Sequence, residues 1–525
     1  MIPLWLALAC DTPVEASAPP DPLTDLTPLP APRLLRRISL DLRGVLPTLA
    51  ELDAVEADPA VLPELVGTFF AAPTFEDRMV SLLSERWHTV LDTYEVGPGD
   101  YALPPGEGDQ FAHSVGEEPL RLIAHVVAQD RPWSEIVTAD YTMSDELLAS
   151  IWPIDYPEGA SGWQESTYRD GRPAAGVLAT NGFYWRYVTN VSNKSRGRAA
   201  ALTRLLLCTD FLSRPVVFQR DQDLDPETAL RTEPSCIACH ATLDPIAASM
   251  FGFWTTIQYN PYEMETYHRE RERLGPALLG TEPGWFGTPI GGMVDLGFAV
   301  SHDPRFTRCA AESLSESLWH RPADIDDYGT IEGLRAEFEA DGQRPQVLLR
   351  AIVATRQYGA GFDGAAPVEH LLSPNQQRLV LQDLTGLQWV DRGYTVLEND
   401  VLGLRVLGGG VDGYSVTRVQ DQPGLTWAMV NQRAAQAAAS ELVARDLDAA
   451  SPDVLTVSSA AVPGEPVFTA QLEALHWRLY ATRAPEEWLS QIGALWTTIE
   501  LDEGAEQAWG ALIEAMLRDP LFVSY

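Results

Sequence analysis

Residues 234–245, PSCIACHATLDP, constrain this chain more than any other stretch. Cys236 and Cys239 bracket two residues, and His240 follows at once. This is the spacing of a c-type haem attachment site. Two thiolates add to the two vinyl groups of a haem, and the adjacent imidazole reaches the iron from one face. Two other readings of the cysteine pair fail on context. A thioredoxin-like redox pair calls for a βαβ setting, which the flanking sequence lacks. A zinc site calls for a second ligand pair at similar spacing, and the chain has no other C-x-x-C and no H-x₃-H. The expectation is one covalent haem c on Cys236 and Cys239, with His240 as axial ligand to the iron.

The remaining cysteines point to export. Of five in the chain, Cys10 closes the opening run MIPLWLALAC. Residues 4–9 are apolar and end in small residues, which resembles a lipoprotein signal with lipidation at Cys10, although neither Lys nor Arg precedes the run. Residues 11–31 are rich in Pro, Thr, Ala and Asp and lack aromatics, so they read as a tether leading away from a membrane. No later stretch is long and apolar enough to span a bilayer. Cys208 and Cys309 are left as an even remainder, either a disulfide or two ordinary buried thiols.

Charge excludes some partners. The chain has 525 residues, with 74 Asp plus Glu against 37 Lys plus Arg, a net charge of −37. That balance argues against nucleic acid or an anionic membrane surface; it suits a basic protein partner or a salty environment, or is simply a soluble, self-repelling surface.

Helical periodicity dominates. Leu34, Leu35, Ile38 and Leu42 recur at helical spacing, with Arg36, Arg37 and Arg43 between them. Thr48 and Glu51 form a capping-box pattern. Thr74 reads as the cap of a helix bearing Phe75, Met79, Leu82, Leu83 and Trp87. Residues 97–108 read as a loop, residues 117–130 as an amphipathic helix, and residues 154–172 as a polar, Gly-rich boundary loop. His88 and His125 fall inside apolar helices and read as packed or capping residues rather than ligands, and neither they nor His113 are assigned a site. Toward the C-terminus, Leu472, Leu475, His476 and Leu479 form one stripe, and Ile492, Leu495, Trp496 and Ile499 another. Trp509, Leu512, Ile513 and Met516 line a last helix. Residues 408–413 match GxGxxG, but no helical period follows and Pro423 interrupts, so they read as a tight turn and not a nucleotide site.

Several runs together resemble the planctomycete-type cytochrome c modules of large exported bacterial proteins. They are RLLRRISLDLRGVLPT, EEPLRLIAHVVAQDRPWSEIVTADYT, the segment from GVL to RGRAAALTRLLLC, and CIACHATLDPIAASMFGF. GTPIGGMVDLGFAVSHDPRFTRCAAESLSESLWHRP is similar to the closing segment of those modules. The resemblance covers much of residues 32–360 and implies haem c and export, with little about substrate.

An electron carrier needs a second axial ligand. Met250, Met264 and Met293 are candidates, with His268 and His302 behind them. Met293 is best placed, because GTPIGGM is a Gly-rich loop before a helix, as in the methionine loop of small cytochromes c. Phe251, Phe253, Trp254, Trp285 and Phe286 either wall the haem or belong to the core. The His240 ring is expected to donate its other N–H to a backbone carbonyl, with Pro245 as a candidate.

The fold expected is mainly α, a multi-segment helical protein with a cytochrome c-like haem domain. An N-terminal helical domain over residues 32–153, a haem c domain over 173–360 and a C-terminal helical domain over 368–525 follow the signal and linker. The function expected is one-electron transfer in the periplasm or cell envelope with a redox partner protein, rather than catalysis. The alternatives are a haem enzyme with an open sixth position, and an envelope scaffold with structural haem.

Overall fold

The first helix, Ala31–Arg43, is the element on which the rest is assembled. In the computed structural model, which describes residues 23–92, 103–104, 107–215, 225–254 and 266–525, this helix is covered on nearly every side. Cys10 and Met264 lie outside the described residues. Leu35, Ile38 and Leu42 enter one hydrophobic core, built mainly from residues between 35 and 358. Leu40 enters a second, built from residues between 372 and 525. A helix that feeds two cores cannot keep a polar face in water.

Its polar residues are therefore buried and bonded rather than solvated. Arg36 donates to the carbonyls of Leu479, Phe522 and Ser524, at 2.9, 2.7 and 3.0 Å. Arg37 donates to those of Tyr358, Ala360 and Val368. Asp41 accepts from Tyr525 at 2.6 Å and from Tyr358 at 2.9 Å, and His320 stands 3.2 Å from it. Periodicity read Arg36 and Arg37 only as intervening residues, whereas both are buried as completely as the leucines beside them. Truncating Arg36 would orphan three carbonyls, each worth about 1–3 kcal/mol when buried without a partner.

Helices take up 59% of the described residues and strands 7%, so the mainly α class holds. The Thr48–Glu51 capping box forms as expected, with both reciprocal bonds present. Thr74 differs. It precedes the helix Phe75–Trp87, but its hydroxyl donates to the carbonyl of Arg43 and ties that helix to the first. The segment 117–130 belongs to a longer helix, Glu107–Ala128, so the end of the loop expected over 97–108 is helical. Gly116 in this helix is required by contact: a Cβ there would lie 2.4 Å from the carbonyl oxygen of Thr89.

Two stretches expected as loop or tether are paired. Leu26–Pro28 forms an antiparallel strand against Ala360–Asp363, which pairs in turn with Ala366–Pro367. Ile154–Asp155 and Gln164–Tyr168 pair with each other, and the latter also pairs with Thr142–Ser144. Tyr168 of this small sheet donates at 2.6 Å to Glu118, a buried carboxylate on the helix Glu107–Ala128. The C-terminal stripes form the helices Pro466–Tyr480, Glu486–Glu503 and Ala505–Leu517. Residues 408–413 turn without a following helix until Leu425–Asp446, as expected. Among the described residues no helix is long and apolar enough to cross a membrane.

Cys208 and Cys309 form a disulfide, with Cα atoms 5.2 Å apart. Cys208 caps the helix Arg196–Leu207 and Cys309 lies in the helix Pro304–Trp319, so a single covalent loop encloses residues 236–240.

Candidate functional site

Cys236, Cys239 and His240 lie on one helix, Pro234–Ala248. Pro234 suits the first turn, where its missing N–H costs nothing. Positions i, i+3 and i+4 of a helix share a face, so the two thiols and the imidazole project on one side. Both thiols are free and half-buried. The helix buries Leu243, Ile246, Ala247 and Ala248 in its second half, while Ile237 remains exposed. The first half thus presents its reactive groups at the surface, and the second half anchors them.

The imidazole is held by a carboxylate. His240 Nδ1 stands 2.8 Å from Asp244 Oδ1, one turn further along the same helix. Arg196, at the start of the helix Arg196–Leu207, donates to both oxygens of Asp244 at 2.8 and 2.9 Å. Arg196 Nη1 also faces Glu227 at 3.6 Å, and Lys194 pairs with Glu227 at 2.9 Å. Burial works to raise the Asp244 pKa, but the hydrogen bonds from His240 and Arg196 outweigh it and hold the carboxyl below its ordinary range. The partner of His240 Nδ1 is therefore Asp244 and not the Pro245 carbonyl. The i,i+4 spacing of His240 and Asp244 was visible in the sequence, whereas nothing in the sequence singled out Arg196.

These residues fit a haem c. The thiols are unpaired, the carboxylate occupies Nδ1, and Nε2 is left without a hydrogen-bond partner among the described residues.

The candidates for the sixth position are placed elsewhere. Met293 begins the helix Met293–Ser301 and is buried, with the Tyr184 hydroxyl 4.0 Å from its sulfur. Met250 is buried in the same core. No hydrogen bond or ring contact joins either to His240 among the described residues. His302 is exposed, stacks on Phe298 at 3.9 Å, and its Nδ1 lies 2.9 Å from the Phe298 carbonyl. His268 Nδ1 faces Glu270 at 3.4 Å. Of the aromatic candidates, Phe251, Phe253, Trp254 and Trp285 are core residues, Phe253 stacking on Tyr184 at 4.1 Å. Phe286 is partly exposed beneath the Arg305 guanidinium.

The three histidines assigned no site, His88, His113 and His125, all have structural partners. His113 bonds Asp92 at 2.7 Å and Glu117 at 3.2 Å. Burial opposes its charge, but those carboxylates win and push its pKa up to about 10. His125 faces Glu165 at 3.4 Å, and His88 caps the helix Phe75–Trp87. No family model, curated protein or solved structure matches the chain.

Proposed function

We propose that this chain is an exported monohaem c-type cytochrome that passes single electrons in the cell envelope. The observation that carries the reading is the shared helical face of Cys236, Cys239 and His240, with the imidazole aligned by Asp244 and Arg196. Bound haem would supply an iron that cycles between ferrous and ferric states. Cys236 and Cys239 would hold it by thioethers and His240 Nε2 would ligate it. Asp244 would fix the imidazole tautomer and make the ring a stronger donor. The Cys208–Cys309 disulfide supports an oxidising compartment, and lipidation at Cys10 would tether the protein there. The net charge of −37 favours a basic redox partner.

The test is expression beside a cytochrome c maturation system, followed by a haem-stained gel and spectra. Covalent haem is expected in the parent protein and none in the Cys236→Ala, Cys239→Ala double variant. Absence of stain in the parent would end the reading.

A second reading, a haem enzyme with an open sixth position, is favoured by the carboxylate behind His240. A more basic proximal ring stabilises the higher oxidation state and lowers the potential. Met293→Ala decides between the two. Loss of a low-spin spectrum and a lower potential mark Met293 as ligand and the protein as a carrier. An unchanged spectrum leaves Met293 in the core: if it is low-spin the ligand is sought at His302 or Met264, and if it is that of an open haem the enzyme is favoured.

A further inference from the structure

A second cluster of histidines lies far along the chain from Cys236 and His240. His320 and His370 stack with ring centroids 4.4 Å apart on the wall of a cleft of about 700 Å³. Behind His320, the buried Asp41 carboxylate and the Tyr525 hydroxyl stand 3.2 and 3.1 Å from Nε2. Tyr525 donates its own proton to Asp41. Nε2–H therefore points at Asp41, and Nδ1 of His320 has no hydrogen-bond partner among the described residues. Neither ring nitrogen of His370 has a hydrogen-bond partner among them. Burial, and then the charge of His320, push the His370 pKa down to about 2, so the ring stays neutral.

The charged part of the lining is almost wholly acidic. Seven carboxylates face the cleft against one guanidinium, Arg321. That guanidinium is already engaged by both oxygens of Asp327, at 2.6 and 2.9 Å. Glu85 is the decisive member. It is half-buried in the wall, and no hydrogen bond or ion pair engages its carboxyl group among the described residues. Burial raises its pKa against the pull of Arg78 and His320. A carboxyl group left in this state costs stability unless a cation or a donor reaches it.

An anion is excluded by this charge. The described residues contain no group of three or more His, Cys, Asp or Glu side chains able to hold a metal ion. What the cleft lacks is positive charge that carries several N–H donors. We propose that it binds a linear organic polyamine, one primary ammonium engaging Glu85 and the neutral ring of His370, the other charge meeting Asp324, Asp363 and Glu369 at the rim. The site is independent of any iron at His240.

Calorimetric titration of the full chain with spermidine, at about 0.15 M salt to screen exposed charges beyond about 8 Å, tests this. Saturable one-to-one binding is expected. It should weaken at least tenfold in Glu85→Gln and in His370→Phe, both of which preserve shape, and stay unchanged in Asp502→Asn, an exposed carboxylate outside the cleft. Thermal unfolding of each variant shows that it folds. Three results would overturn the proposal: no saturable heat with the parent, equal affinity for tetramethylammonium, which has charge but no donors, or folded Glu85→Gln and His370→Phe proteins that bind as the parent does.

Discussion

His240 and His320 are each backed by a carboxylate, but the two arrangements are built in opposite ways. Asp244 is four residues from His240 on the same helix. Asp41 is 279 residues from His320, and the Tyr525 that joins them is 205 residues away. The first arrangement follows from helical spacing and persists wherever that helix forms. The second exists only when the first helix, the end of the helix Pro304–Trp319 and the C-terminus have docked. Asp41 is accordingly buried outright, while the His240 side chain keeps 23% of its surface exposed. Groups presented near the surface can be positioned by one helix, whereas a lined cleft has to be assembled.

The contrast is sharpest in stability. Asp41 receives Tyr358, Tyr525, Gln376 and His320, with Arg78 at 4.0 Å. Burial raises its pKa, yet His320 and Arg78 bring it down to about 2, so it is a charge at neutral pH. Removing it in Asp41→Ala leaves Arg78 buried without its charge partner and should cost about 3–5 kcal/mol in urea unfolding. Asp244→Ala should cost far less. Equal costs would break the comparison.

The disulfide acts on one side only. It closes the loop around the helix Pro234–Ala248 and leaves the C-terminal core outside. Loss in the paired Cys208→Ser, Cys309→Ser variant should cost about 2–5 kcal/mol. Hydrogen exchange should quicken in the helix Pro234–Ala248 and remain slow in the helix Pro374–Thr385. Joined Cys208 and Cys309 peptides in a non-reducing digest check the bond itself.

The assembled site should also give the protein a pH dependence. His370 is neutral in the folded state down to about pH 2, but the unfolded chain takes up a proton below about 6.5. A depressed folded-state pKa means stability is lost as pH falls through that window. Between pH 6.5 and 5 the loss is about 2 kcal/mol, at about 1.4 kcal/mol for each unit. His370→Phe should remove that slope. A slope unchanged in the variant would place the titration elsewhere.

The smallest effect belongs to the local site. Asp244→Asn keeps the shape of the side chain and weakens its charge-assisted pair with Arg196, which retains Glu227 nearby, for about 1 kcal/mol. If haem is attached as proposed, a less basic His240 should also raise the midpoint potential. A double-mutant cycle with Arg196→Gln measures the coupling.

Much of the fold was readable because it repeats with the helical period. The stripes at 75–87, 472–479 and 509–516 and the capping box at Thr48 depend on neighbours three and four residues apart. The short strands at Leu26–Pro28 and Ile154–Asp155 were missed, since pairs of two or three residues with no alternation leave no such signal. Cys236, Cys239, His240 and even Asp244 lie within one stretch of sequence, so their common face follows from order alone.

Arg36, Arg37, Asp41 and Glu85 are different. Charged residues between apolar ones ordinarily mark the wet side of a helix. Here the carbonyls of Leu479, Phe522 and Ser524 stand where water would be, and so Arg36 is core. No spacing encodes that substitution, because its partners lie more than 440 residues away and meet only after two cores close on the same helix. Residue order set the faces of the helices, and packing decided which of those faces meet protein instead of solvent.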